Sequence, residues 1–219
     1  MNKKPEAFFV VSNWNNDLSW ITDYTQDYLI YDKSGKLPEN DKIIKLNNVG
    51  FNIYDIFDFI INNYDDLPEI VAFLQGHPFD HCKRETFDKL IYNTKFTALE
   101  DYSHVSESHA HKKTPQGKYL EINTSWYLVL PKPYKRRYFT SYNQFLDYMF
   151  VNPEFPQWIR FAPGAQYVIP KTNILKYSPM FYAKLRSFVA YDSHPMEAHL
   201  IERAMHTIFS NQYEEKYAK

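Results

Sequence analysis

The run Gln75-Gly76-His77-Pro78-Phe79-Asp80-His81 packs two imidazoles, a carboxylate and an amide into one short stretch. Imidazoles exchange protons near neutral pH, and nitrogen and oxygen donors together suit a divalent ion. His77, Asp80 and His81 are therefore a candidate metal-ligating set, and Asp80 is also a candidate catalytic carboxylate. Gly76 permits a close backbone approach and Pro78 stiffens the turn, with Gln75 and His77 as substrate-binding candidates. The alternative is a tight turn in which Asp80 caps a helix beginning near Lys83. A second group is Glu202 with His199 and His206, spaced i, i+3, i+7 on the polar side of an apolar helix. Glu202 could act as a general base with His206 beside it, or form a surface ion pair. A third is Ser12, Asn13 and Trp14, with Asp17 beyond, polar and aromatic groups that end an apolar run as substrate-binding candidates; the alternative is a polar loop. A fourth is Pro163-Gly164-Ala165-Gln166, where Gly164 allows a bulge or a ligand wall carrying Gln166.

Two other clusters rank lower. Ser103 to His111 holds three histidines amid Ser and Glu, the composition of an exposed loop. Lys132 to Arg137 concentrates cations that could meet phosphate, though a solvated charge run is the common outcome.

These residues need a scaffold. Ala7 to Val11, Tyr28 to Tyr31 and Glu69 to Leu74 are short apolar runs closed by polar or turn residues, the pattern of buried strands. Ile53, Ile56, Phe57, Ile60, Ile61 and Tyr64 trace one face of a helix that Pro68 stops. Helices are expected over Arg84 to Asn93, Tyr142 to Val151 and Pro179 to Ala190, and from Pro195 to Ser210. Tyr119 to Leu130 reads as a strand, and Trp158 to Ile169 as a strand broken at Pro163-Gly164. The succession predicts one α/β domain over residues 1–219, with a mainly parallel, mixed sheet flanked by helices. Ligands of such sheets bind beyond the carboxyl ends of the strands, where Gln75 to His81 would lie.

Composition limits the function. The chain has 219 residues, 25 basic against 26 acidic, so no field of one sign favours nucleic acid. One cysteine, Cys82, excludes an internal disulfide and a Cys-rich zinc module. No apolar run approaches the roughly 18 residues of a membrane span. The start reads as a first strand rather than a signal peptide, which leads to an expected cytoplasmic location. The 19 Tyr, 17 Phe and 4 Trp either fill the core or offer flat faces to sugar rings.

The stretch Asn63-Tyr64-Asp65 through Phe73-Leu74-Gln75-Gly76-His77-Pro78-Phe79-Asp80-His81 resembles a family of uncharacterised domains with that hallmark. Val10 to Asn13 with Asp17 to Trp20, Asn48-Val49-Gly50, Phe161 to Tyr167, and Glu202-Arg203 with His206 match it in the same order. That family is similar to nucleotide-sugar glycosyltransferases of the GT-A type. The resemblance implies a Rossmann-like domain, a nucleotide such as that of a UDP-sugar at the first strand, and a manganese or magnesium ion on the diphosphate. The usual Asp-any-Asp metal triplet is missing, with Gln75 to His81 in its place, and Phe51-Asn52 stand where relatives carry a basic and an acidic residue. The expected activity is transfer of a sugar from a nucleotide diphosphate to a hydroxyl of a glycan or glycoprotein. The rival readings are a metal-dependent phosphoesterase using His77, Asp80 and His81, and a non-catalytic glycan-binding protein.

Overall fold

The structure is a computed structural model and describes residues 7–101, 107–114 and 119–217. Residues 103–106 of the second histidine cluster lie outside the described residues. Six strands build the central sheet: β1 (Phe8–Asn13), β2 (Tyr28–Asp32), β3 (Ile43–Lys45), β4 (Ile70–Gln75), β5 (Thr97–Ala98) and β9 (Tyr167–Pro170). Their spatial order is β3-β2-β1-β4-β9-β5. The first four are mutually parallel, whereas β9 runs antiparallel to both β4 and β5. A smaller antiparallel sheet is ordered β6 (His111–Lys113), β7 (Tyr119–Ile122), β8 (Trp158–Arg160).

Alternation along the strands sorts the core into two layers. Val10, Val71, Phe73, Tyr167 and Ile169 face the layer of α1 (Phe51–Asn62), α5 (Pro179–Val189) and α6 (Met196–Phe209). Phe9, Val11, Ala72, Leu74 and Val168 face the other layer, closed by Trp20, Ile21 and α2 (Arg84–Leu90). The expected stripe of α1 is buried against the first layer, with Ile53, Ile56, Phe57 and Ile60 at most 2 % exposed. Each such side chain contributes about 1.5–3 kcal/mol through removal from water. The remaining helices are α3 (Tyr142–Met149), with Ser141 as its side-chain cap, and the short α4 (Lys171–Ile174).

Two expected strands differ from the structure. Of Tyr119 to Leu130 only β7 is extended; Ser125 takes a left-handed conformation (φ 56°) and residues Trp126–Val129 wind into a 3-10 turn. The two halves of Trp158 to Ile169 join different sheets, β8 the small one and β9 the large. The turn Pro163–Ala165 between them contains Gly164 at φ 78° and redirects the chain. No helix among the described residues is long and apolar enough to cross a membrane.

Candidate functional site

After β1 the chain pairs outward through β2 and β3, then returns to place β4 on the other side of β1. Connections leave the sheet in opposite directions there, which opens a crevice beyond the carboxyl ends of β1 and β4. A cleft of about 420 Å³ occupies it. Ser12, Asn13 and Trp14 line it from β1, and Gln75, Gly76, His77 and Asp80 from β4. Asn48, Phe51 and Asn52 at the start of α1, with Ser193 and His194 before α6, form the far wall. The Trp14 ring is 58 % exposed at the mouth, unlike the buried Trp20.

The floor is built around Lys33, which follows β2. Its ammonium lies 2.9 Å from Asp55 of α1 and donates to the carbonyls of Val49 and Phe51. Those bonds hold the left-handed pair Gly50 (φ 63°) and Phe51 (φ 50°) from which α1 starts. Burial pushes the Asp55 carboxyl up to about 6, against the opposing pull of Lys33. Burial likewise lowers the Lys33 ammonium, while Asp55 resists the change. The pair is a brace, and its charges largely cancel.

A second hollow of about 270 Å³ adjoins the first and shares Phe51, Asn52 and Gln75 with it. Pro163, Gly164, His81, His199 and Glu202 complete its lining. Glu202 Oε1 accepts the Gly164 N–H at 2.6 Å and Oε2 accepts Arg203 Nη1 at 3.0 Å. Burial raises the Glu202 carboxyl, with Arg203 and the Gly164 N–H pulling it back. Gly164 is held from the other side as well, its carbonyl accepting Asn52 Nδ2 at 2.8 Å. A Cβ on Gly164 would stand 2.5 Å from the His81 ring, so only glycine fits this left-handed, crowded position. Arg203 also grips Glu121 with Nε and Nη2 at 2.8 and 3.0 Å, which ties α6 to β7.

His199 lies 4.0 Å from Glu202 through Nδ1, with Phe51 and Tyr134 rings against it. Burial, then the neighbouring Arg203 charge, pushes it down to about 4. The unfolded chain binds a proton near pH 6.5 that the folded chain refuses until about 4, so His199 lowers stability as pH falls across that window. Glu202, raised by burial, acts in the opposite direction. We expect His199→Gln to lose less stability than wild type between pH 7 and pH 5 in urea unfolding. Equal losses would show that His199 does not resist protonation.

The structure brings Ser12, Asn13, Trp14, Gln75, Gly76, His77 and Asp80 to one cleft and Pro163, Gly164, His81 and Glu202 to its neighbour. Several expected roles change. Gln166 is fully buried; its amide bridges the Gln75 N–H and the Pro78 carbonyl, so it is a strut rather than a ligand wall. Asp17 is not among the residues lining the cleft; its carboxylate accepts the N–H and hydroxyl of Ser19 at the start of the turn Ser19–Asp23. His206 lies one helical turn beyond Glu202 and lines a separate hollow with Phe96 and Arg160. The room beside Gly76 is filled by Asn13 and Asn16, whose Oδ1 atoms a Cβ would meet at 3.1 and 2.7 Å; the glycine admits this loop rather than a ligand. The Asn13 side chain is spent inside the fold, donating to Asp32 and accepting from the Asn16 N–H.

The expected metal set also divides. His77 Nδ1 and Asp80 pair at 2.8 Å on the first cleft, while His81 turns to the second. Among the described residues no group of three or more His, Cys, Asp or Glu is placed to hold a metal ion. These residues do not fit a preformed divalent-metal centre. Nor does Asp80 cap α2, whose N-cap position is Lys83 with no side-chain cap.

Lys33, Ser193 and His194 were missed from sequence, and Phe51, Asn52 and Tyr134 carried no site role there. Gly50 after Asn47-Asn48, just before an apolar helix, was the available signal for Phe51 and Asn52. No local signal marked Tyr134 or His194, which meet at 5.8 Å across a separation of sixty residues in the chain.

A family model described as "Protein of unknown function (DUF3431)" matches residues 9–218, from β1 to the end of the described chain. The chain belongs to the DUF3431 family. No curated protein and no solved structure matches it. In this DUF3431 chain the matched span includes both hollows and every residue that lines them.

Proposed function

We propose that this DUF3431 protein transfers a sugar from a nucleotide diphosphate donor to a hydroxyl of a glycan acceptor. The observation that carries the reading is the pair of adjoining hollows at the switch point of the sheet. One has an exposed aromatic ring at its mouth, and the other holds a half-buried carboxylate whose pKa is raised by desolvation. The nucleotide occupies the larger cleft with its base on Trp14, and the sugar reaches across the shared wall of Gln75, Asn52 and Phe51. The acceptor hydroxyl enters the smaller hollow, where Glu202 takes its proton as the bond from the anomeric carbon to the diphosphate breaks. A raised carboxyl suits that role, because a base works best with its pKa near the working pH. The Gly164 N–H and Arg203 fix both oxygens of Glu202 and so orient it.

The resemblance implies a divalent metal on the diphosphate, but the side chains present do not form a centre for one, and no step is routed through it. The same division of His77, Asp80 and His81 removes the support for a metal-dependent phosphoesterase.

A thermal-shift panel of UDP-, GDP- and ADP-sugars, followed by detection of the released nucleotide with glycan acceptors, tests the reading. A bound donor at about a hundred times its Kd stabilises by about 2.7 kcal/mol, which such a panel resolves. Stabilisation by one donor class and acceptor-dependent nucleotide release are expected. Absence of any shift across the panel would overturn the proposal.

A further inference from the structure

We infer that the larger cleft takes the diphosphate of its nucleotide without a divalent metal, through the Nε2 atoms of His77 and His194. This rests on the nucleotide-sugar reading above.

Every carboxylate near the cleft is already engaged. Asp80 holds His77 Nδ1 at 2.8 Å, Asp55 is braced by Lys33, and Asp32 accepts from Asn13, Ser34 and Leu37. Glu202 faces the adjoining hollow with both oxygens occupied. An ion brought by the diphosphate would meet no cluster of three or more His, Cys, Asp or Glu among the described residues, and Asp80 already shares one oxygen with His77. Lys33 does not serve as the counter-charge either, since Asp55 and two carbonyls absorb its ammonium.

The two imidazoles stand differently. They come from different elements that line the cleft, His77 after β4 and His194 before α6, and each has its Nδ1 occupied. Ser193 Oγ lies 2.8 Å from His194 Nδ1 and 3.5 Å from Asp192 Oδ1; when the hydroxyl donates to the nearer nitrogen, the neutral ring keeps its proton on Nε2. The ring is set edge-on between Phe51 and Tyr134, at 5.4 and 5.8 Å, which fixes its plane. Asp80 accepts the His77 Nδ1–H and leaves Nε2 as the other ring nitrogen; Nε2 donates when the ring carries both protons, a form that a carboxylate on one side and a phosphate on the other both stabilise. Two imidazoles from separate elements on the lining of one cleft suit a diphosphate, which offers acceptor oxygens on both phosphorus atoms.

The test is calorimetry with UDP and GDP, in EDTA and in manganese, with the matching nucleosides as phosphate-free controls. Binding in EDTA within about twofold of that in manganese is expected. His194→Phe and His77→Phe, which keep a ring in place, should each weaken the nucleotide about tenfold or more and leave the nucleoside unchanged. Long-range ¹H–¹⁵N spectra of the wild-type protein read the same contacts without relying on a variant. Adding the nucleotide in EDTA should shift both Nε2 resonances. Binding that needs manganese, variants that bind as wild type, or unmoved Nε2 resonances would overturn the inference while leaving the nucleotide site standing. Failure of both nucleotides under both conditions would overturn the nucleotide-sugar reading, and this inference with it.

Discussion

Arg203→Met is expected to cost the fold about 3–5 kcal/mol, the loss usual when one partner of a buried ion pair is removed. Arg203 is 5 % exposed and its guanidinium meets two carboxylates from different parts of the fold. Nε and Nη2 form a bidentate pair with Glu121, itself only 2 % exposed, and Nη1 reaches Glu202 and the His199 carbonyl. The rings of Tyr127 and Phe161 lie 4.2 and 4.7 Å from the guanidinium carbon. Methionine retains much of the packing but leaves Glu121 buried without its main partner. For a chain of this length the loss corresponds to a fall of roughly 10 °C in Tm. Arg203→Lys should also be poorly tolerated, because an ammonium cannot form the bidentate fork. Adding Glu121→Leu to Arg203→Met should recover a large part of the loss, since the stranded charge is then gone. Scanning calorimetry of the single and double variants decides this. A single variant within about 2 °C of wild type, or a double variant no better than the single, would show that the cluster does not join α6 to the small sheet.

On the proposed reaction, Glu202→Gln is expected to slow transfer about 10²- to 10⁴-fold, the range for loss of a general base. The amide keeps an oxygen for the Gly164 N–H but cannot accept a proton from the acceptor. Because Glu202 lines only the smaller hollow, the nucleotide Kd should stay within about twofold of wild type. Asp80→Asn should behave in the opposite way, weakening nucleotide binding through His77 rather than acting on the proton transfer. Turnover assays beside calorimetry separate these outcomes. A Glu202→Gln enzyme with wild-type turnover removes Glu202 from the chemistry, and a large rise in its nucleotide Kd would place it in donor binding instead.

Residues near in sequence were assigned to the correct edge of the sheet because strand length and the following turn are local properties. The run ending at Leu74 had to deliver Gln75 to His77 to a strand end, and Ala7 to Val11 did the same for Ser12 to Trp14. Each could be read because burial of a parallel strand demands an unbroken apolar run. His206 was misassigned for a reason visible in helix geometry. It shares a stripe with His199 and Glu202, but it lies about 6 Å further along the axis than Glu202 at 1.5 Å per residue, beyond the end of the hollow.

By itself, the sequence determined the α/β class, the main helices, and the strand ends that carry Asn13, Gln75 and His77. Periodicity and turn chemistry act within a few residues, and those features need nothing more. The tertiary structure decided which polar groups remain available. Gln166 became a strut, Asp17 a local partner of Ser19 and Lys33 a brace, while Glu202 kept a face on a hollow and His77 and His194 kept one ring nitrogen each. Such pairings join groups far apart in the chain, 112 residues in the Asn52 to Gly164 bond. No local pattern specifies them; they follow from how the sheet, α1 and α6 pack together.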